Sequence, residues 1–504
     1  MLELQPATFE DFVREAARGN VVPVVRTVLG DLQTPVGAFM RVAGDAPYAF
    51  LLESVEGGER VARYSFLGAN PEMVVRGRGG KTLIEVGSEK MTGRNERAVD
   101  FLREHFRARK LARTRSSLAP LAGGAVGFFS YDAARWFEPV LEKGYEREPA
   151  CDDAVWMFYR TLLAFDRVRQ QVLITSVVFT EEAGGSRIRL RELYDSAVAE
   201  TERIENLLLE TPALKAESKR QTDEGASAQF QSNWTREKFE QSVRDIKEQI
   251  AAGECYQAVL SQKFRKRVTV DPVAIYRALR ATNPSPYMYL LRLKGEAIIG
   301  ASPEMLVRCR GQRLDYRPIA GTRRRGATET EDWLLGEEMR TDEKEIAEHM
   351  MLVDLGRNDL GRVADYGSVE VGELMTIERY SHVQHLVTSL RARLRDGLDR
   401  FDALASCFPA GTVTGAPKVR AMEIIRELEP EARGVYAGSI GYMDYAGNLD
   451  SCIAIRTIVI KDGEATVQAG AGIVADSVPE REYEETVNKA RALVRAVEMA
   501  EKGL

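Results

Sequence analysis

Residues 48 to 178 contain a series of short apolar runs, among them Tyr48-Ala-Phe-Leu-Leu-Glu-Ser54, Gly124-Ala-Val-Gly-Phe-Phe-Ser130 and Val172-Leu-Ile-Thr-Ser-Val-Val178. Runs this short, rich in aromatic and branched residues and punctuated by glycine, read as strands. A strand leaves its backbone N–H and C=O groups to be paired by neighbours, so this part of the chain must build sheet. The pattern then changes. Ser186 to Glu210 carries Leu190, Leu193, Ala197 and Ile204 among charges, which predicts a helix. The next stretch, TPALKAESKRQTDEGASAQFQS, has only Leu214 and Phe230 as large apolar residues. It predicts a linker at 211–232 between a β-rich region, 1–210, and a second region, 233–504.

The second region opens with a helix that Thr235 can cap. Phe239, Val243, Ile246 and Ile250 recur at helical spacing until Gly253 stops them. Strands and helices then alternate to a long final helix, from Pro479, which suits a first turn, to about Glu501. The expected class is α+β, with antiparallel sheets packed as a sandwich and helices outside.

Seventy basic and 76 acidic residues leave a net charge of −6, which gives no footprint for a nucleic-acid partner. No stretch approaches the ~20 apolar residues a membrane span needs. Five scattered cysteines without a CxxC pair argue against a disulfide framework and a zinc site, and point to a reducing, cytoplasmic compartment. Gly80-Lys81-Thr82 ends like a phosphate-binding loop, but Val75 stands where its first glycine belongs. GxGxxG and GxSxG are both missing, so neither dinucleotide chemistry nor a nucleophile-elbow hydrolase is supported.

Glu345 and Glu348, three apart on one predicted helix, share a face, and Glu482 and Glu485 repeat the spacing on the final helix with Lys489 one turn beyond. Two facing E-x-x-E helices can hold a hard cation. Magnesium suits them, because it takes oxygen ligands and few protein carboxylates. Each pair alone is an ordinary solvated helix face. His349, His382 and His385 fall within 37 residues and are candidates for proton transfer, with a satisfied structural role as the competing reading; His382 is read as structural. Two segments can grip an anion through backbone amides or be simple turns. They are Gly411-Thr-Val-Thr-Gly-Ala-Pro-Lys418, with Thr414 as cap and Pro417 opening a helix, and Gly470-Ala471-Gly472, after the strand Ala465–Ala469. Arg456 ends a buried-looking strand and needs a partner, either a bound carboxylate or a salt bridge.

Five motifs then lie in order over more than 200 residues: Arg317-Pro-Ile-Ala-Gly-Thr322, Asp342-Glu-Lys-Glu-Ile-Ala-Glu-His349, Thr412-Val-Thr-Gly-Ala-Pro-Lys418, Asp450-Ser-Cys-Ile-Ala-Ile-Arg456 and Gly470-Ala-Gly-Ile473. With them the chain resembles the anthranilate synthase component I family of chorismate-utilising enzymes. The resemblance extends more loosely to Leu51-Leu-Glu-Ser54, similar to the family's tryptophan-site signature. It implies Mg²⁺ held by Glu348 and Glu485, with Glu345 and Glu482 close behind. Chorismate is then held by Gly321, Thr322, Thr412, Tyr436, Arg456, Lys489 and the amides of Gly470, Ala471 and Gly472. Glu304 matches the acid that protonates the departing C4 hydroxyl, its pKa raised by burial and nearby carboxylates, and His385 matches the position tied to aromatisation and pyruvate loss. The implied activity is the first step of tryptophan biosynthesis.

Gln257 stands where relatives that add water carry a lysine base, and Ala320 where the para-aminobenzoate branch carries a nucleophilic lysine, so the resemblance favours ammonia addition and the ortho product. No stretch resembles a glutaminase, which implies a separate glutamine amidotransferase subunit. Ser54, Asn283, Pro286, Tyr287, Met288 and Cys452 match the pocket for L-tryptophan as feedback inhibitor; a packed junction between the two halves is the plain reading. The competing functions are an aminodeoxychorismate or aminodeoxyisochorismate synthase and a non-catalytic metabolite sensor.

Overall fold

The computed structural model describes residues 3–55, 63–87, 90–113, 118–143, 147, 149–210, 229–380 and 383–503. Most of the expected linker, 211–228, lies outside them, and its end is strand, with Gln231 and Ser232 pairing with Arg265 and Phe264.

Among the described residues two large antiparallel sheets dominate. The thirteen-stranded sheet runs through Val21–Leu29, Gln171–Phe179, Thr161–Asp166, Tyr64–Ala69 and Tyr48–Glu53, then crosses to Tyr287–Leu293, Glu296–Ser302, Thr457–Lys461, Glu464–Ile473 and Gln257–Arg267. The eleven-stranded sheet is mixed in the same way, with Gly124–Phe129 against Ser439–Asp444. The regions 1–210 and 233–504 are therefore not separate sheet systems, because each gives half of both sheets and they join strand to strand, as in Leu51 opposite Leu290.

Side-chain alternation explains the layering. In Tyr48–Glu53, Ala49 and Leu51 face one apolar cluster while Tyr48, Phe50 and Leu52 face another. The second cluster lies between the sheets, where Phe50, Leu291 and Ile298 meet Val126, Phe128, Met157 and Ile440. The first is closed by helices on the outer face, including Arg187–Leu209, Pro272–Thr282 and Pro479–Glu501. The other sheet is covered by Ala98–Arg107, Glu343–Gly361 and Arg400–Cys407. The sandwich with helices outside is thus as expected, and strands covered on both faces read as nearly continuous apolar runs.

Local patterns map closely onto elements. Ser186 and Thr235 cap the helices Arg187–Leu209 and Arg236–Ala251, and the final helix is Pro479–Glu501. Gly79 and Gly80 form only the hairpin turn between Met73–Arg78 and Lys81–Val86. The five cysteines are free, and no described helix is long and apolar enough to cross a membrane.

Three local expectations are corrected. Thr414 does not cap the helix Lys418–Leu428; its hydroxyl donates to the Ala410 carbonyl, and the Val413 and Thr414 amides close a 3₁₀ turn. Gly470–Gly472 does not follow a strand but lies inside Glu464–Ile473. Arg456 does not end one either, since the strand Leu449–Ile453 stops earlier and Ala454–Arg456 carries the chain from one sheet to the other.

Phe50 is wholly buried at the seam between the two regions, its ring edge-on to Tyr159 at 4.8 Å. Phe50→Ala is expected to cost about 3–5 kcal/mol, the range for a buried aromatic truncated in a core that cannot collapse. Urea unfolding at unchanged m-value measures this; a loss near zero would show that the seam is not packed as described.

Candidate active site

Two crossings between the sheets lie side by side. The chain passes from Glu296–Ser302 to Met305–Arg310 through Pro303 and Glu304, and from Leu449–Ile453 to Thr457–Lys461 through Ala454–Arg456. Beyond Val467, the strand Glu464–Ile473 keeps Gln257–Arg267 on one edge and loses Thr457–Lys461 on the other. A cleft of about 640 Å³ opens there, between the crossings and the helices Glu343–Gly361 and Pro479–Glu501.

Its wall includes Gln257, Glu304, Glu348, Thr412, Tyr436, Arg456, Gly470, Gly472, Glu482, Glu485 and Lys489, which sequence reasoning placed together. Ala471 does not line it. Lys489 Nζ donates to the Gly470 carbonyl at 3.0 Å, so Gly470 points its backbone groups away from the Gln257–Arg267 strand and into the cleft. By the two-residue period Gly472 does the same, while Ala471 spends its backbone groups on the ladder opposite Leu260 and buries its methyl. Space is tight at Gly470, whereas at Gly472 the nearest atom ends a flexible side chain that can give way. A Cβ at Gly470 would stand 2.7 Å from Tyr436 Oη, and one at Gly472 2.5 Å from Gln257 Nε2.

Glu304 is buried, and burial pushes its pKa up to about 8 against the lowering effects of the Thr412 hydroxyl and Lys489. Thr412 Oγ1 donates to Glu304 Oε1 at 3.0 Å. Nearby carboxylates, expected to share in the shift, play no part: the charge felt is a cation, and desolvation alone keeps the proton on. Arg456 lies in the left-handed region, φ 52°, and its Nη1 donates to the Lys489 carbonyl at 2.7 Å. Burial lowers its pKa while Tyr436 and Glu485 raise it, and among the described residues no carboxylate stands within ion-pair distance. No salt bridge among the described residues accounts for Arg456, which leaves its guanidinium able to meet a bound anion. Burial raises the Tyr436 hydroxyl to about 12, so it stays protonated as a donor.

The two E-x-x-E helices do face one another. Burial, Glu345 and Glu485 raise the pKa of Glu348, and burial and Glu485 raise that of Glu482. Lys344 and Lys489 lower both, and the Ser477 hydrogen bond lowers Glu482, without offsetting the burial, so a divalent cation would favour the charged forms. Among the described residues no group of three or more His, Cys, Asp or Glu is placed to hold a metal ion. Magnesium does not require one, since water and substrate oxygens complete its shell around one or two carboxylates. The residues fit, with Glu348, Glu485 and Glu482 facing the cleft. Glu345 is turned to Arg323 at 2.8 Å and does not line it, and Glu485 also meets Lys489 at 2.6 Å.

Gly321, Thr322 and His385 stand beside the cleft rather than in its wall. A bulge between Ala320 and Arg323 releases Gly321, φ 63°, and Thr322 from the ladder with Val383–Val387. His385 Nδ1 lies 2.8 Å from the Gly321 carbonyl and 3.2 Å from Thr322 Oγ1. A carbonyl only accepts, so Nδ1 carries the hydrogen and Nε2 keeps a lone pair. Burial lowers the pKa of His385, leaving it neutral and basic near neutral pH. His349 is buried with Nε2 2.6 Å from Thr388 Oγ1 and Nδ1 without a hydrogen-bond partner among the described residues, and His382 lies outside them. Lys344, Gln468 and Arg481 line the cleft and were missed, although Lys344 and Arg481 each neighbour a singled-out glutamate in sequence.

The proposed tryptophan set gathers at the seam where Tyr48–Glu53 meets Tyr287–Leu293. Ser54, Pro286, Met288 and Cys452 are buried, and Asn283 ends the helix Pro272–Thr282. Tyr287 Oη donates to Asp450 at 3.1 Å. Tyr287 and Cys452 face the inter-sheet core, but Met288 turns to the outer helices.

The model of the chorismate binding enzyme family matches residues 47–495. Anthranilate synthase component 1 of Acetivibrio thermocellus is 46% identical over 489 residues, covering 95% of this chain and 96% of that protein. The crystal structure of anthranilate synthase component I from Streptococcus pneumoniae TIGR4 superposes with a TM-score of 0.73 at 35% identity, covering 93% of this chain and 99% of that one. The menaquinone-specific isochorismate synthase of Escherichia coli, 21% identical with a TM-score of 0.66 and 97% and 98% coverage, shares the fold.

Proposed function

The chain belongs to the chorismate-binding enzymes, in the anthranilate synthase component I family, and on that premise we propose that it is a lyase converting chorismate and ammonia to anthranilate and pyruvate. The observation that carries this reading is Glu304, a buried carboxylic acid that keeps its proton to about pH 8 beside Arg456 and Lys489. A general acid must be protonated before it acts, and a dianionic substrate needs fixed cations.

Arg456 and Lys489, with the Gly470 and Gly472 amides and Tyr436, orient the substrate carboxylates. Glu304 gives its proton to the C4 hydroxyl as the C4–O bond breaks, ammonia adds at C2, and water departs. The ammonium formed at C2 returns a proton to Glu304; His385 Nε2 then takes the C2 proton as the enolpyruvyl C–O bond breaks, the ring becomes aromatic, and the enolpyruvate released takes a proton at its methylene carbon to become pyruvate. Magnesium on Glu348 and Glu485, when bound, supplies charge for the ring carboxylate. Gln257, an amide in the wall, cannot deprotonate water, which supports ammonia as the nucleophile. Ala320 offers no amine for a covalent step.

The ammonia comes from a glutamine amidotransferase subunit, a partner supported by the relatives' designation as component 1. L-tryptophan inhibits by binding at the seam around Ser54, whose buried hydroxyl has no hydrogen-bond partner among the described residues. Such a group is costly unless something bonds to it.

With chorismate, Mg²⁺ and ammonium, the purified chain should yield anthranilate and pyruvate, resolved by fluorescence and mass, with turnover abolished by chelator and by Glu485→Gln. An amino intermediate without pyruvate would assign it to a sister reaction, and unreacted chorismate in a folded protein would make it a sensor. For tryptophan, calorimetry should give weaker binding in the presence of chorismate and a further loss in Ser54→Ala; equal affinity with and without chorismate would refute the coupling.

A further inference from the structure

Arg433 and Glu429 form an ion pair at 2.7 Å whose side chains are only 1% and 3% exposed. A buried pair of this kind is weak evidence for stability, since desolvation offsets the attraction, so its other bonds deserve the question of what they hold. Arg433 Nη1 donates to the Val413 carbonyl and Nη2 to the Val259 carbonyl, both at 2.6 Å. Val413 follows Thr412, the donor to Glu304, and Val259 lies two residues after Gln257. Glu429 in turn accepts from the Ser261 amide at 2.9 Å and the Ser261 hydroxyl at 2.6 Å. A guanidinium is suited to this, because its rigid fork bonds several acceptors in fixed directions where an ammonium cannot.

We propose that Arg433 is a positioning residue which, by tying the Val413 and Val259 carbonyls together, holds Thr412 against Glu304. The proposal rests on the reading of Glu304 as the reaction's acid. The groups facing Glu304 are Lys489, the Thr412 hydroxyl and the buried Tyr316 phenol. Of these, Arg433 governs only Thr412. Losing that hydroxyl removes an influence that lowers the carboxyl's pKa, so the proton is retained to higher pH.

The test uses the full chain as wild type, Thr412→Val, Arg433→Lys, and Arg433→Lys with Thr412→Val. A second route, Arg433→Met with Glu429→Gln, removes both charges while keeping an acceptor for Ser261, so that no unpaired buried charge prevents folding. Without substrate, the Glu304 carboxyl is titrated by infrared difference against Glu304→Gln. It should titrate near pH 8 in the wild type, and higher, by equal amounts, in Thr412→Val and in either Arg433 variant. With chorismate, Mg²⁺ and ammonium, each single change should lower kcat roughly tenfold at little altered KM, and the combination should lower it no further. A Glu304 titration at the wild-type position in a folded Arg433 variant overturns the proposal, as do kcat losses that simply multiply. Wild type that leaves chorismate unreacted would instead defeat the reaction assigned, while the titration still decides whether Arg433 acts through Thr412.

Discussion

The site depends on a pair of backbone hydrogen bonds between the two sheet crossings. Ala301 N–H donates to the Arg456 carbonyl at 3.1 Å, and Ile453 N–H donates to the Glu304 carbonyl at 3.0 Å. These bonds fix the acid and the guanidinium relative to one another before any ligand arrives. They also hold Arg456 in a left-handed conformation, which for a residue with a side chain costs on the order of 1–3 kcal/mol and persists where the surroundings over-determine it. Strands that change sheets end their ladders at the crossing, and the unpaired edge of Glu464–Ile473 is the consequence. To the cleft that follows from that geometry the two crossings contribute backbone groups, the Arg456 guanidinium and the Glu304 carboxyl.

Electrostatic sorting completes the cleft. Glu304 is buried with no carboxylate acting on it, and that burial outweighs the Thr412 hydroxyl and Lys489, so it stays neutral. Glu348 and Glu482, on helices that approach from outside the sheets, feel other carboxylates as well as Lys344 and Lys489, and burial leaves the balance on the side of a raised pKa. Environment alone thus separates the glutamates, one keeping its proton through burial and the others meeting neighbouring carboxylates and lysines. Arg456 and Lys489 lie near both groups, and a substrate with two carboxylates can engage the cations and the metal side together.

Much of the fold was legible because it is written in local periodicity. The caps Ser186 and Thr235 and the first-turn Pro479 mark helix starts that the structure reproduces. The joining of the two regions strand by strand was not legible, since nothing local to Leu51 names Leu290 as its neighbour. Gly470–Gly472 could be read as an anion grip or as a turn after a strand, because glycine serves both; the residues lie inside the strand, where Gly470 leaves room for Tyr436. Thr414 looked like a cap because Thr before a helix often is one, yet its hydroxyl is spent on Ala410. The site residues were legible mainly through ordered motifs. The proton on Glu304 was expected from burial, but that no carboxylate shares in holding it, and that Arg456 has no carboxylate partner among the described residues, appear only with the third dimension.

The central claim is that Arg456 is held without a carboxylate partner for the sake of one on the substrate. Calorimetric binding of chorismate to wild type and to a folded Arg456→Gln protein, both with Mg²⁺ and without ammonia, measures this directly. The account predicts that affinity falls by roughly 10- to 100-fold, the worth of a charge-assisted hydrogen-bonded pair. Equal affinity in the two proteins would contradict it, and would return Arg456 to a structural role between the sheets.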